Sequence, residues 1–201
     1  MWLIIIPMRP TSMDTLYFLI ILYIFLAIII IFSLTVLFFC LQAIITIART
    51  KVPFARTPDE NIEKIFTELK KKSRELGILS GSLFYDLGCG DGRILFEAEK
   101  RGYKSTGYEL SLYQYLRGRA RKKFSESKVK IIRKDFMGQD LSGADVIFTF
   151  LVGKVMSRVG KKLKNNLKKG AIIISYGFAI TDWKPDKILE TKPSLTYFYR
   201  V

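Results

Sequence analysis

The stretch Phe84-Tyr85-Asp86-Leu87-Gly88-Cys89-Gly90-Asp91-Gly92 constrains this chain more than any other: an apolar run ends in an acid and then gives glycine at every second position. Residues 82–87 read as a buried strand, and Arg93-Ile94-Leu95-Phe96-Glu97-Ala98 opens a helix, so the glycines form a strand-to-helix turn. Without a Cβ, Gly88, Gly90 and Gly92 let the backbone take positive φ and let a ligand approach the main chain at a helix N-terminus. That is the geometry of a nucleotide-type site, and an ordinary tight turn would not ask for this many glycines.

Which ligand such a turn can hold depends on how it departs from the pyrophosphate cradle, which needs G-x-G-x-x-G. Here the spacing is G-x-G-x-G, with Asp86 ahead of it and Asp91 inside it. Two carboxylates beside a ligand repel phosphates and suit a cation. Seventeen residues beyond Gly92, a second strand over 104–108 ends in Glu109, placed to accept two hydrogen bonds from ribose hydroxyls. A third strand, 129–133, leads to Asp135-Phe136, an acceptor for an adenine amino group beside a ring able to cover the base. Taken alone, Asp135 also reads as a turn or cap residue. Acids at three successive strand ends without a phosphate clamp describe S-adenosylmethionine.

Composition narrows the chemistry further. There is no histidine, which excludes Ser-His-Asp triads, HExxH zinc sites and imidazole bases. Cys40 falls in an apolar segment and Cys89 in the glycine turn, so neither a disulfide framework nor a metal site is expected. Cys89 reads as a small filler rather than a nucleophile. Arg9 and Asp14 are the only charged residues in 1–48, and the other 32 basic and 17 acidic residues concentrate the whole net charge of +15 in residues 49–201. So basic a domain seeks anionic surfaces, phospholipid headgroups or nucleic acid. The basic helices expected around 115–123 and 161–169 read first as solvated faces, with RNA contact disfavoured; beside a membrane, headgroup attraction of about 1 kcal/mol per cation is the intermediate reading.

Residues 16–47 carry no charge over 32 positions, well beyond the roughly 20 needed to cross a bilayer. A membrane helix is therefore expected at 16–48; a signal peptide would have a shorter apolar core. Residues 1–15, where Pro7 and Pro10 interrupt an apolar run, are too short to span and are expected at the interface. Arg49, Lys51 and Arg56 follow the segment closely, which places the remainder of a single-pass protein in the cytoplasm; in a eukaryote the same segment would anchor the domain to an organelle membrane. Residues 49–57 are a juxtamembrane linker or lid. Thr57 is the expected N-cap, and Pro58 the first residue, of a helix to about 74 that carries Ile62, Ile65, Phe66 and Leu69 on one face.

From there the pattern alternates. Helices at 91–101, 111–124 and 154–167 interleave with strands at 104–109, 129–133, 144–150 and 171–176, and 187–191 with 195–201 form a terminal hairpin. Alternating strands and helices imply a parallel α/β sheet covered on both faces.

Asp-x-Gly-x-Gly-x-Gly together with Glu109 and Asp135 resembles the class I, seven-β-strand S-adenosylmethionine-dependent methyltransferases, over about residues 52–201. That resemblance implies a Rossmann-like, doubly wound seven-stranded sheet of order 3-2-1-4-5-7-6 with an antiparallel C-terminal hairpin, spanning a domain at 58–201. It also implies cofactor contacts at Asp86, Gly88, Cys89, Gly90, Asp91, Gly92, Glu109, Leu110, Asp135 and Phe136. The lead-in Val52-Pro53-Phe54-Ala55-Arg56-Thr57, the run Gly107-Tyr108-Glu109-Leu110, and Phe150-Leu151-Val152 ahead of Leu167-Lys168-Lys169-Gly170-Ala171 are similar to the membrane-anchored protein-lysine methyltransferases of the adenine nucleotide translocase and ATP synthase c-subunit type. Gly153 stands where those proteins often have proline. By this resemblance the partner is a protein substrate with an acceptor lysine at a membrane. Phe150, Tyr176, Phe178 and Trp183, at or just past the fourth and fifth strand ends, are the candidates for positioning the amine. Two other readings stand beside it: a methyltransferase of a lipid or quinone, and a non-catalytic basic module that binds membrane or RNA. Methylation of a nucleobase amine is disfavoured, because Phe148-Thr149-Phe150-Leu151 replaces the Asn/Asp-Pro-Pro-Tyr arrangement.

Overall fold

The computed structural model describes residues 12–50 and 56–201. Most of the interfacial segment expected at 1–15, and most of the linker or lid expected at 49–57, lie outside these residues. The chain divides into two compact units, Met1–Gln42 and Ala43–Val201.

α1 (Ser12–Thr50) is one continuous helix of 39 residues that runs past both expected ends; it forms the described part of the first unit and its last turns belong to the second. Its apolar span, Met13–Ile45, covers 33 residues, or about 50 Å at 1.5 Å per residue, against a hydrocarbon core of about 30 Å. Large side chains such as Phe18, Tyr23 and Phe32 stand exposed along it. Thr35, one of its few polar residues, bonds its hydroxyl back to the Ile31 carbonyl at 2.8 Å, which hides the group from an apolar surround.

The second unit begins its sheet-packed part with α2 (Asp59–Glu75). Here the expected cap is corrected by one residue. Pro58 itself is the N-cap and no side chain caps the helix; the Pro58 carbonyl accepts from the Asn61 and Ile62 amides, both at 3.1 Å. Ile62, Ile65, Phe66 and Leu69 are buried as their spacing requires, and at about 1.5–3 kcal/mol each they are what holds a helix of otherwise charged residues on the sheet.

Seven strands follow: β1 (Leu83–Leu87), β2 (Lys104–Tyr108), β3 (Lys130–Ile132), β4 (Val146–Thr149), β5 (Ile172–Tyr176), β6 (Lys187–Glu190) and β7 (Leu195–Arg200). Their order is β3-β2-β1-β4-β5-β7-β6, as the resemblance implied, with β7 antiparallel to both its neighbours. The central strands are apolar at successive positions because both faces are covered. Phe84, Phe148, Ile174 and Phe198 pack towards α2 and α3 (Arg93–Lys100); Ile147, Ile173 and Tyr199 pack the other way. α4 (Leu112–Phe124) lies on the first face against β3, close enough that a Cβ on Gly118 would come within 2.8 Å of Ile131. Among the described residues only α5 (Gly153–Asn166) packs on the second face, since β3 connects to β4 through a short 3₁₀ turn, Phe136–Gly138. The direction of winding reverses between β1 and β4, and open α/β sheets bind ligands beyond the carboxyl ends of such a pair.

Candidate cofactor and acceptor site

The glycine turn sits at the carboxyl end of β1. Gly88, Gly90 and Gly92 all have positive φ, at 84°, 55° and 80°, and Gly92 is the left-handed N-cap of α3. A Cβ at Gly92 would meet Ile131 at 3.0 Å and Phe96 at 3.1 Å, so conformation and space both ask for glycine there. Four of the loop's amides are used internally. Gly88 and Cys89 donate to the Tyr108 carbonyl at 3.0 Å each, Gly92 donates to the Cys89 carbonyl at 2.9 Å, and Gly90 donates to Glu109 Oε2 at 2.8 Å. A phosphate cradle holds such donors out towards its ligand; these four are turned inward.

Glu109 bridges two elements, taking the Gly90 amide on one carboxylate oxygen and the Ser111 amide on the other at 2.7 Å. Burial raises its pKa, against the lowering by these backbone donors. Each oxygen keeps a lone pair for a further donor. Asp86, at the end of the same cleft, is 2% exposed. Its carboxyl is raised well above the usual range, first by burial and then by the charge of Glu109. Among the described residues it has no cation within ion-pair distance. The cleft floor, about 50 Å³, is lined by Asp86, the glycine turn, Ile62, Phe148 and Phe150, with Arg56 and Thr57 at its edge.

Asp91 is buried, lines the cleft beside Asp86, and is ion-paired to Arg121 at 3.2 Å and Arg117 at 3.8 Å, so α4 neutralises it. Cys89 is the filler that the sequence implied. Its Cβ and Sγ would lie 2.6 Å from a Cβ on Gly107, and burial raises its thiol pKa well above the ordinary value, which leaves it inert. Leu110 is exposed on the rim. Asp135 is exposed and caps the 3₁₀ turn, accepting the Met137 amide at 2.8 Å, so its local reading as a cap holds. Phe136 packs into the second core cluster with Leu87 and Tyr108.

The four acceptor aromatics do not form one cage. Phe150 lines the cleft and meets Tyr176 edge-on at 4.7 Å. Tyr176 is 1% exposed and belongs to the core beneath it. Phe178 is 39% exposed and lies 3.4 Å from where a Gly153 Cβ would stand. Trp183 is on the opposite face of the sheet, edge-on to Tyr199 at 5.9 Å and set against Gly160 of α5; the strand-end position predicted for it did not fix its face.

Sequence reasoning missed Asn61. Its amide donates to the Tyr176 hydroxyl at 3.0 Å and to the Lys192 carbonyl at 2.7 Å, joining α2 to β5 and to the β6–β7 turn. The signal was a polar residue at i, i+4, i+8 with Ile65 and Leu69, on the apolar face of its helix. Arg93 was also missed: it pairs with Asp59 and donates to the Thr57 carbonyl at 3.3 Å, which ties the start of α2 to the start of α3. No group of three or more potential metal ligands occurs among the described residues.

Comparison with known proteins agrees with this geometry. The family model described as the ANTKMT methyltransferase domain matches residues 86–187. A protein-lysine N-methyltransferase of Saccharolobus islandicus is 30% identical over 145 residues, covering 70% of this chain and 86% of that protein. The human ATP synthase c-subunit lysine N-methyltransferase is 32% identical over 148 residues, covering 72% of this chain and 60% of that protein. Among solved structures, an RNA methyltransferase of Salinibacter ruber in complex with S-adenosyl-L-homocysteine superposes with a TM-score of 0.63 at 23% identity, over 73% of this chain and 93% of that one, a likeness of fold.

Proposed function

The chain belongs to the ANTKMT methyltransferase domain family and is an S-adenosylmethionine-dependent methyltransferase, and from that premise we propose that it is a membrane-anchored enzyme that methylates a lysine of a membrane or membrane-associated protein. The observation that carries the proposal is the cleft itself. Two carboxylates, Asp86 and Glu109, flank a turn in which the Gly88, Cys89, Gly90 and Gly92 amides are already satisfied, which suits a cationic adenosyl group better than a pyrophosphate. Relatives that methylate lysine on the ATP synthase c-subunit and on the adenine nucleotide translocase support the acceptor class.

S-adenosylmethionine supplies an electrophilic methyl group on a sulfonium, transferred by in-line displacement. The residues of the chain bind, orient and exclude water around that step. Glu109 is assigned to the ribose hydroxyls through its remaining lone pairs, with Leu110 beside it, and Asp86 to the positive charge at the other end of the cleft. Ile62, Phe148 and Phe150 make the cleft apolar, which lowers the pKa of an entering lysine and favours the neutral amine with its lone pair available. Alignment supplies the acceleration, and no dedicated base is needed. Asp135 keeps an acceptor role at the open rim in this reading; of the aromatics, Phe150 and Phe178 remain for the acceptor.

Anchoring rests on α1, long and apolar enough to cross a bilayer. Arg49, Lys51 and Arg56 favour the cytoplasmic side for the domain. The test is to incubate the full chain with native membranes and radioactive methyl donor. Protease-sensitive label that maps by mass spectrometry to a lysine is expected. Protease-resistant label would move the acceptor to a lipid or quinone, and a failure of the purified protein to bind S-adenosylmethionine saturably would defeat the enzyme assignment.

A further inference from the structure

We propose that the groove between α4 and the edge strand β3 docks on the surface of an anionic phospholipid bilayer. The groove has a volume of about 1050 Å³, an aliphatic floor that includes Leu116 and Ile132, and a rim of Arg119, Lys122, Lys123 and Lys130 with one acid, Glu126, among them. From residue 112 to residue 134 the only acid is Glu126, against nine lysines and arginines. Lys122, Lys123 and Lys130 have no carboxylate within ion-pair distance among the described residues, and Arg119 is spent only on the Tyr115 hydroxyl. Apolar side chains stand out between these cations: Phe124 is 87% exposed, with Tyr113 and Leu116 close to half exposed.

Cations around an aliphatic floor, with a protruding aromatic, match a bilayer surface, where the rim meets phosphates while Phe124 enters the boundary beneath them. A nucleic acid would use the cations and could stack on Phe124, but it has no use for an aliphatic floor. An added peptide strand is disfavoured because β3 is three residues long and points Lys130 outward at the sheet edge. α5 is as basic but exposes no large apolar side chain of its own, so its cations read as solvation. The docking is independent of which acceptor the enzyme uses.

The test uses the full chain carrying Cys40→Ser and Ser125→Cys, with a bimane probe at position 125; Cys89 is buried and stays unlabelled. The protein is reconstituted in phosphatidylcholine vesicles with and without phosphatidylglycerol, each containing a lipid with a nitroxide headgroup. Quenching of the probe is expected only with phosphatidylglycerol, and it is expected to vanish near 0.5 M salt, where the Debye length is about 4 Å. Lys122→Gln, Lys123→Gln and Lys130→Gln are each expected to weaken docking about fivefold, and the triple variant on the order of a hundredfold. Equal quenching on neutral vesicles, or a triple variant that docks like the parent, overturns the proposal. So does binding of polyuridylate with no lipid quenching, which would assign the surface to nucleic acid. S-adenosylmethionine binding and lysine labelling, measured in the same preparations, report on the enzyme assignment separately.

Discussion

Asp86→Asn should make the protein more stable and a poorer enzyme. The Asp86 carboxyl is buried without a compensating cation among the described residues, beside a second buried carboxyl, Glu109. Both groups have raised native pKa values, so the folded state keeps protons that the unfolded state releases. Stability contributed by that protonation is therefore present at low pH and is lost as pH rises above the unfolded carboxylate values of about 4 and through the raised native values. An uncompensated buried polar or charged group costs about 1–3 kcal/mol or more, and 1 kcal/mol moves Tm by about 2–4 °C at this size. The wild-type Tm in detergent should thus fall between mildly acidic and alkaline pH, and Asp86→Asn should raise Tm at alkaline pH by about 2–12 °C and flatten the dependence. The same variant should bind S-adenosylmethionine at least about tenfold more weakly, a change of about 1.4 kcal/mol. If Asp86→Asn lowers Tm at alkaline pH, or the wild type gains stability as pH rises, the carboxyl is not strained by its burial and the assignment of the cleft to a cationic ligand loses its basis.

Other perturbations follow from the same contacts. Glu109→Gln puts an amide donor against either the Gly90 or the Ser111 N–H; titration calorimetry should show a loss of S-adenosylmethionine affinity of about tenfold or more, and unchanged affinity would remove Glu109 from the site. Asn61→Leu leaves the Tyr176 hydroxyl and the Lys192 carbonyl without their donor and should cost about 1–3 kcal/mol per group in urea unfolding. Combined with Tyr176→Phe it should give a coupling of about 0.5–1.5 kcal/mol, and additivity would show that the bond carries nothing. Gly107→Ala places a Cβ 2.5 Å from Leu95 and 2.6 Å from Cys89; overpacking should cost about 1–3 kcal/mol, partly restored by Cys89→Gly.

The sheet was legible because its strands are near-continuous apolar runs between turn residues, and Val146-Ile147-Phe148 or Ile172-Ile173-Ile174 admits few other readings. Element ends were less so. The helix expected from 91 begins at Arg93, because left-handed Gly92 is its cap, and the strand expected to 150 stops at Thr149, which frees Phe150 to face the cleft. At the site, spacing brought Asp86, the glycines and Glu109 into view because two neighbouring strand ends and one turn position them all. It could not show that Asp91 would be claimed by arginines one helix away, nor which face of the sheet Trp183 would take, since both depend on close approaches at Gly118 and Gly160 that involve distant parts of the chain. Asn61 escaped for a related reason: an asparagine near a helix start reads as a local turn residue, and only packing against β5 gives it a distant partner.

The single helix over the second sheet face also limits how copies of this chain can meet. From residue 151 to residue 181, α5 and its flanks hold lysines and arginines and no acid at all. Lys168 is paired with Asp145 at 2.6 Å, but stacking two molecules through that side would still set cation against cation along α5, a repulsion that grows as salt is lowered. The thin covering is thereby protected from self-association by its own charge, and crowding the protein at low ionic strength should keep it dispersed through that face.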